Sequence, residues 1–335
     1  MQKPRDKRRF FLLELANKIG ELIDGYRQEP LTVSIMGQTG VGKSSLINAL
    51  FGTNLPTDPV RPGTTRIEED RVMGKNGHEV IFYDFPGLGE SDQADQLWIP
   101  EYHKHLKDSD IVIWAVVADT RSFGYDLNTL KTVITDLPSN QKVYFLSKIV
   151  FVLTKTDLLT NPEIPVHWFL VKLGEDNSFF LPDENLDNLI KRKEKYFREK
   201  FIDPFKHLIK PQTFYKGTFK MQIPHMVHRH NIVSYDGFVE EADYEKWCED
   251  NPNYKAVFRR LYESCRIIPC STRFRYNLDL LINVIIEKLD IQSAGRFEGF
   301  VEQKKMGRMP YMQAKDYVNI IPIPKEAFEK LKEES

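Results

Sequence analysis

Apolar and polar positions along the chain follow two different periods, and their alternation predicts strands that alternate with helices. Short unbroken apolar runs indicate buried strands, whereas apolar residues spaced three and four positions apart indicate helices. The predicted strands cover residues 31–36, 66–73, 79–84, 110–117, 149–153 and 266–270, and the predicted helices cover residues 43–50, 126–136 and 277–289. Because strands that alternate with helices form a mostly parallel sheet covered on both faces, we predict a three-layer α/β fold.

The alternation stops after Asp157 and resumes near Arg266, which leaves about a hundred residues outside the α/β pattern. Connections inside an α/β unit usually take ~2–6 residues, so this stretch is predicted to be a large insertion that is rich in helices. Four parts are predicted. Residues 1–30 form an N-terminal amphipathic helix, and residues 31–160 with 265–290 form the α/β domain in two segments. Residues 161–264 form the insertion, and residues 291–335 form a C-terminal tail that packs on the α/β domain or is partly mobile.

The composition narrows the class of protein without assigning a function. The chain has 335 residues, of which 41% are hydrophobic and 28% charged, with a formal net charge of −1. These values exclude wholesale disorder and a protein held to nucleic acid mainly by bulk positive charge. The three cysteines lack a CxxC spacing, and the longest apolar run, Ile111–Ala118, is too short to span a bilayer. We therefore expect a soluble, cytoplasmic protein in a reducing compartment.

Residues 37–44, GQTGVGKS, match the pattern GxxxxGK[ST] and lie between a predicted strand and a predicted helix, the context that this pattern requires. Glycines let successive backbone N–H groups point inward around phosphate oxygens, and the following helix directs the positive end of its dipole there. Lys43 would reach the β- and γ-phosphate oxygens, and the Ser44 hydroxyl would bind Mg²⁺. This segment, the P-loop, predicts a nucleoside triphosphate site.

A second motif, DFPG at residues 84–87, follows the predicted strand 79–84. Asp84 is suited to hold Mg²⁺ through a water, and the Gly87 N–H to approach the γ-phosphate. Because α/β sheets bind ligands at the carboxyl ends of their strands, this motif is predicted to lie beside the P-loop.

Two later motifs indicate guanine rather than adenine. In TKTD, residues 154–157, the Asp157 carboxylate suits the N1–H and N2–H₂ donors of guanine, and the stem of Lys155 would lie along the base face. In PCST, residues 269–272, backbone N–H groups would face the guanine O6. Four motifs in order, each at the carboxyl end of a predicted strand, predict one site for GTP.

The four motifs resemble those of Era-like GTPases of the TRAFAC class, and most of all the bacterial branch typified by YfjP and YeeP. The P-loop is also similar to that of septin-like and paraseptin GTPases. The resemblance covers under half of the chain, with matching stretches at residues 37–51, 62–66, 84–91, 108–126, 154–157 and 269–282. It implies a P-loop GTPase domain with its insertion between the TKTD and PCST motifs, which hydrolyses GTP to GDP and phosphate with Mg²⁺.

The resemblance also implies a role for each site residue. The residues that bind the phosphates and the base would be Gly40, Val41, Gly42, Lys43, Ser44, Ser45, Lys155, Asp157, Ser271 and Thr272. The metal would be held by Ser44, Thr65 and Asp84, with Thr64 as the alternative to Thr65. The residues that act in catalysis would be Lys43, Thr65 and Gly87.

Two positions depart from the pattern of related proteins. Leu88 stands where Ras-like proteins place a glutamine that orients water, which a leucine cannot do. Gly40 stands where several Era-like relatives use an asparagine to recruit K⁺, so we expect no K⁺ dependence. The candidates to replace the glutamine are Arg61 as an arginine finger and Glu90, Gln93 and Gln96 as water-orienting residues, each less favoured than a solvated side chain.

We therefore expect the isolated protein to hydrolyse GTP slowly. Dimerisation through the GTPase domain or a protein partner would activate this hydrolysis. One alternative is a septin-like switch in which nucleotide controls assembly and turnover is negligible. Another is a ribosome- or RNA-associated GTPase, which the near-neutral charge and the lack of a recognisable GXXG segment weaken.

The insertion combines two stretches of opposite charge. The basic stretch, residues 190–230, contains eleven Lys/Arg and three Asp/Glu. The acidic stretch, residues 231–264, contains four Lys/Arg and eight Asp/Glu. One interpretation is a basic surface for RNA, a ribosome or acidic lipid. The other, which we favour, is a helix over Leu189–Phe205 with solvated lysines, against which the acidic stretch folds.

Two smaller features have a functional and a structural interpretation, and we favour the structural one for both. His225, His228 and His230 would be zinc ligands with Cys248 or Cys265, but their spacing fits no standard zinc pattern. The N-terminal helix with its basic lead would lie on a membrane surface or, as favoured, pack on the α/β domain.

Overall fold

The computed structural model describes residues 30–53, 67–73, 79–85, 101–102, 104–120, 123–174, 177–215, 217–220, 223–289, 308–309 and 320–324. The strands are β1 (Leu31–Met36), β2 (Glu68–Met73), β3 (Glu79–Asp84), β4 (Ile111–Val117), β5 (Ile149–Thr154), β6 (Trp168–Gly174), β7 (Asn177–Pro182), β8 (Gln212–Phe214), β9 (Met226–Arg229), β10 (Ile232–Tyr235), β11 (Ile268–Pro269) and β12 (Ile320–Pro324). The α-helices are α1 (Lys43–Phe51), α2 (Gly124–Asp136), α3 (Ser139–Lys148), α4 (Glu184–Phe197), α5 (Glu241–Asp250), α6 (Lys255–Glu263) and α7 (Leu278–Lys288). Among the described residues, no helix is both long enough and apolar enough to cross a membrane. The predicted N-terminal helix lies outside this description.

The strands of the α/β domain form one sheet in the order β11-β5-β4-β1-β3-β2. Neighbouring strands pair in parallel, except that β2 is antiparallel to β3. Nearly every side chain of β1, β4 and β5 is buried, as expected of strands that are covered on both faces. The predicted mostly parallel sheet is therefore confirmed.

Helices cover both faces of this sheet and divide the core in two. On one face, Leu46 of α1 and Ile282 of α7 pack with Val33 of β1. On the other face, Val133 of α2 belongs to the same cluster as Trp114 of β4. This arrangement is the predicted three-layer α/β fold.

The insertion contains strands as well as helices, and the sequence analysis did not predict these strands. β6 and β7 form an antiparallel hairpin, and β8, β10 and β9 form a separate antiparallel sheet. Helices α4, α5 and α6 lie between and after them along the chain. The insertion is thus a folded α+β unit in which helices make up most of the regular structure.

Helix α4 differs in its limits from the helix predicted over Leu189–Phe205. It begins earlier because the Asp183 carboxylate accepts a hydrogen bond of 2.8 Å from the Leu186 N–H and caps the first turn. The α-helical part ends at Phe197, and a π-helical turn and a 3₁₀ segment continue the path to Leu208.

The described part of the C-terminal tail joins the insertion. β12 pairs in parallel with β6 to complete a sheet in the order β12-β6-β7, and Met309 forms an antiparallel bridge with Ser178 of β7. An open edge of β6 would leave backbone N–H and C=O groups unpaired, and the apolar strand β12 satisfies them. The carbonyl oxygen of Arg308 in the tail also accepts a hydrogen bond of 2.9 Å from Arg275 of the α/β domain, so the described tail residues contact both the insertion and the α/β domain.

Ion pairs join the two charged stretches of the insertion. Arg198 and Lys206 both form ion pairs with Glu240, at 2.5 and 2.9 Å, and Lys210 lies 3.1 Å from Asp236. These pairs join the basic stretch to the acidic stretch, as the favoured interpretation predicted. They count against a continuous basic surface for RNA or lipid.

Candidate nucleotide-binding site

The P-loop runs from the end of β1 into the first turn of α1, and its glycines permit this path. Gly37 passes so close to β4 that a Cβ atom there would lie 2.2 Å from the Ala115 carbonyl oxygen. Gly42, just before the first helical residue, has φ 96°, in the left-handed region that glycine tolerates. The loop is thereby placed at the N-terminus of α1, where the helix dipole favours anions.

Lys43 lies across the P-loop and is nearly buried, with 7% of its surface exposed. Its Nζ donates hydrogen bonds to the carbonyl oxygens of Gly37, at 3.2 Å, and Gln38, at 3.4 Å. These two bonds fix the positive charge at the turn that is predicted to hold phosphate.

Ser44 and Asp84 bring two oxygen ligands together beside the P-loop. Ser44 is in the first turn of α1, and Asp84, which is 4% exposed, is the last residue of β3. The Ser44 hydroxyl donates a hydrogen bond of 3.1 Å to Asp84 Oδ2. Hydroxyl and carboxylate oxygens are the ligands that Mg²⁺ prefers, so this pair fits the predicted metal.

The TKTD motif is tied to the P-loop by two side-chain hydrogen bonds. The Thr154 hydroxyl donates to the Val41 carbonyl oxygen at 2.7 Å, and Lys155 Nζ donates to the Gly40 carbonyl oxygen at 2.6 Å. Neither bond is predictable from the motifs, because each joins residues more than a hundred positions apart. Both bonds hold the end of β5 against the P-loop. They thereby set the position of the predicted base-binding residues relative to the predicted phosphate-binding residues.

Asp157 and Ser271 meet although they lie in different motifs far apart in the sequence. Ser271 is fully buried, and its hydroxyl donates a hydrogen bond of 2.6 Å to Asp157 Oδ1. β11 delivers Ser271 to this place by pairing in parallel with β5. A carboxylate has lone pairs for about four hydrogen bonds, so this bond orients the group and leaves acceptors for a base.

A cavity of about 410 Å³ opens beside Asp157. The segment after β5 lines it with Asp157 and Leu158, and the start of the insertion lines it with Asn161, His167 and Trp168. The loop after the PCST motif contributes Arg273. The cavity next to Asp157 is therefore lined by both the α/β domain and the insertion.

Comparison with known proteins assigns the domain to a family. A family model described as 50S ribosome-binding GTPase matches residues 32–155. The chain is similar to YfjP, an uncharacterized protein of Escherichia coli K12, with 34% identity over 131 residues, which are 38% of this chain and 42% of YfjP. It is also similar to GTPase Era of Deinococcus radiodurans, with 38% identity over 143 residues, 41% of this chain and 42% of Era. The α/β domain, which contains the matched residues 32–155, is an Era-like P-loop GTPase domain.

The chain spans about two fifths of the length of the curated relatives that it matches. Among solved structures, the chain is similar to Toc33 from Arabidopsis thaliana in complex with GDP and Mg²⁺. That likeness has 20% sequence identity and a TM-score of 0.38, and it covers 57% of this chain and 67% of Toc33.

The GTPase domain brings the described site residues to one edge of its sheet. The P-loop and the first turn of α1 contain Gly40, Val41, Gly42, Lys43, Ser44 and Ser45. The ends of β3, β5 and β11 and the residues just after them supply Asp84, Lys155, Asp157, Ser271 and Thr272. Their contacts with nucleotide and metal stay predictions. The other candidates lie outside the described residues: Arg61, Thr64, Thr65, Gly87, Leu88, Glu90, Gln93 and Gln96.

Behind the P-loop of the GTPase domain lies a polar pair that the sequence analysis missed. Gln38 Nε2 donates a hydrogen bond of 2.5 Å to Oδ2 of Asp126, a residue in the first turn of α2 that is 1% exposed. Burial raises the pKa of the Asp126 carboxyl above its ordinary value, although the bond from Gln38 acts in the opposite direction. An acidic residue in a first helical turn is common, so the sequence carried no specific signal for this pair.

Asp126→Asn is expected to raise the melting temperature by more at about pH 8 than at about pH 4, which is close to the ordinary pKa of an aspartate. With a raised pKa, the folded protein binds this proton more tightly than the unfolded chain, so stability is lost as the pH rises through the folded pKa. An asparagine keeps an acceptor for Gln38 and does not ionise. Thermal unfolding of both proteins at the two pH values measures the effect, and equal shifts at both would contradict it.

The three histidines do not form a metal site in the described part of the chain. No group of three or more His, Cys, Asp or Glu side chains that could hold a metal ion occurs among the described residues. His228 lies against the rings of Tyr215 and Phe219, at centroid distances of 6.2 and 5.9 Å. His225 and His230 have positive φ values, next to the strand β9. The ring contacts of His228 agree with the structural interpretation of this residue.

Proposed function

We propose that the protein binds GTP with Mg²⁺ and hydrolyses it to GDP and phosphate. The observation that carries the proposal is the meeting of Lys43, the Ser44–Asp84 pair and the Asp157–Ser271 pair at one edge of the sheet. The first two suit a triphosphate with its metal, and the third suits guanine.

On the phosphate side, the chain supplies charge and position. Lys43 exchanges its two carbonyl partners in the P-loop for oxygens of the β- and γ-phosphates, where its ammonium stabilises the negative charge of the transferring group. Ser44 and Asp84 would hold Mg²⁺, and the bound ion would supply positive charge against the phosphate oxygens.

On the base side, Asp157 accepts the N1–H and N2–H₂ donors of guanine. The Ser271 hydroxyl holds one carboxylate oxygen at 2.6 Å, which fixes the plane of the group for two parallel hydrogen bonds to the base. Adenine offers no such pair of donors on the corresponding edge, so the same carboxylate discriminates against ATP.

Turnover in the isolated protein is proposed to be slow and to rise on dimerisation through the GTPase domain or on binding a protein partner. Leu88 supports this proposal, because a leucine in place of the glutamine leaves that position unable to orient water. The second candidate is a septin-like switch with negligible turnover, which the same leucine favours. The three free cysteines support a reducing, cytoplasmic compartment for either function.

GTP turnover per protein molecule is expected to rise with protein concentration over roughly a hundredfold range, as mass action drives dimer formation. The rate should be the same in K⁺ and Na⁺, because Gly40 stands at the position of the K⁺-recruiting asparagine. Phosphate release at several protein concentrations in each salt measures both effects. A flat rate near zero with tight GTP binding would favour the switch, and a high rate independent of concentration would contradict activation by dimerisation.

A further inference from the structure

The insertion packs directly on the loop that carries Ser271. Phe274 in this loop is 2% exposed, and its ring stacks on Phe180 of β7 with centroids 4.3 Å apart and planes 12° from parallel. Trp168 of β6 meets Phe274 edge-on at 5.2 Å and Tyr276 at 4.9 Å. Three aromatic contacts therefore join the first hairpin of the insertion to the loop.

A short chain of hydrogen bonds leads from these rings to the carboxylate that would read the base. The Phe274 N–H donates to Ser271 Oγ at 3.0 Å, and the Ser271 hydroxyl donates to Asp157 Oδ1 at 2.6 Å. Ser271 and Tyr276 also exchange two backbone hydrogen bonds, of 3.2 and 3.0 Å. The place of the Ser271 hydroxyl is thus set by two residues that the insertion holds.

The loop has a backbone shape that needs support from packing. Arg275 and Asn277 have φ values of 53° and 55°, in the left-handed region that residues with side chains seldom adopt. Arg275 also donates a hydrogen bond of 2.9 Å from Nη1 to the carbonyl oxygen of Arg308 in the C-terminal tail. The insertion and the tail therefore both contribute to the shape of this loop.

We propose that Phe180 and Trp168 of the insertion are positioning residues for guanine recognition, which act by holding the loop in which Ser271 orients Asp157. The inference rests on the proposed function, because it names the part of the chain that sets base selectivity at the same site. Stacked and edge-on aromatic pairs have preferred geometries, so they fix the loop more narrowly than aliphatic packing of similar volume would. A purpose of the large insertion is thereby defined: it completes the base side of the site.

Phe180→Leu tests this role through the ratio of two affinities. Inosine diphosphate lacks the 2-amino group of GDP and makes one hydrogen bond fewer to Asp157. We expect the variant to bind GDP about tenfold more weakly and inosine diphosphate about threefold more weakly, so that discrimination falls by about threefold. Isothermal titration of the full-length chain with each diphosphate and Mg²⁺ measures the ratio. Phe180→Met, which replaces the ring with a flexible side chain that adapts to irregular gaps, is the second variant in case the first does not fold.

Phe179→Leu is the matched control. Phe179 is the next residue in β7, and side chains alternate between the two faces of a strand, so it points away from the loop. A purely structural effect would lower the melting temperature of both variants and leave the GDP to inosine diphosphate ratio of the folded protein unchanged. Loss of discrimination in Phe180→Leu, together with its retention in Phe179→Leu, supports the positioning role.

The outcomes separate this inference from the proposed function. If the unaltered chain binds GDP no better than ADP, the proposed function fails and this inference fails with it. If the unaltered chain prefers guanine and both Phe180 variants keep the full ratio, the inference alone is overturned. The same result with Trp168→Leu would exclude the second positioning residue.

Discussion

Lys43→Ala is expected to weaken GTP binding by about 100-fold or more, which is an effective loss of binding at micromolar protein. The Lys43 ammonium is held at the P-loop by the carbonyl oxygens of Gly37 and Gln38, within reach of the turn that would hold phosphate. Hydrogen bonds to charged groups contribute about 1.5–3 kcal/mol each, and two of them to phosphate oxygens give this magnitude. Fluorescence titration with a methylanthraniloyl derivative of GTP measures the loss.

Lys148→Ala is a suitable control because the two lysines have similar surroundings. Lys148 is 8% exposed, and its Nζ donates to the carbonyl oxygens of Ser109, at 2.6 Å, and Lys107, at 3.3 Å. It precedes β5 and therefore lies at the amino end of the strands, opposite the P-loop. This variant should lose stability and keep its affinity for GTP. Retained micromolar affinity in Lys43→Ala would show that the P-loop assignment is wrong.

The phosphate side of the site could be predicted from sequence because its chemistry is local. The P-loop is a run of consecutive residues between a strand and a helix, and its glycines are needed at Gly37 and Gly42 for reasons of backbone geometry alone. The place of Asp84 followed from the end of a strand in a parallel sheet. In each of these places a short segment determines what the side chain can do.

The buried contacts around the site could not be predicted because they join distant segments. Gln38 meets Asp126 and Thr154 meets Val41 only after β1, β4 and β5 have paired. An aspartate in a first helical turn looks the same in the sequence whether it is solvated or buried behind a phosphate-binding loop. Burial by tertiary packing decides between these states, and periodicity does not record it.

The fold divides in the same way. The parallel sheet was predictable because strands buried on both faces read as unbroken apolar runs, as in β4 and β5. β6 and β7 have shorter apolar runs. Their aromatic side chains pack on Phe274 and Tyr276, about a hundred residues later in the chain. The strand β12 then joins β6 from the C-terminal tail, a pairing that no local pattern specifies.

Asp157→Asn is expected to reverse the choice of base from guanine to xanthine. The carboxylate accepts two hydrogen bonds from guanine, and an amide nitrogen in its place donates instead. Loss of the negative charge and of one acceptor, with a donor facing the guanine amino group instead, should lower GTP affinity by about 10²-fold. Xanthosine triphosphate carries a carbonyl oxygen where guanine has its amino group, so the variant should bind it more tightly than GTP. Competition titration with both triphosphates measures the ratio.

The structure specifies which way the new amide should face. The Ser271 hydroxyl accepts from the Phe274 N–H and donates to Asp157 Oδ1, so the carbonyl oxygen of an asparagine takes the Oδ1 position and its nitrogen faces the base. Asp110→Asn is the matched control, because the Asp110 carboxylate accepts hydrogen bonds from Thr32 at the amino end of the strands. That variant should keep its preference for GTP. An unchanged preference in Asp157→Asn would remove Asp157 from base reading, and Ser271 would then be an internal brace of the fold alone.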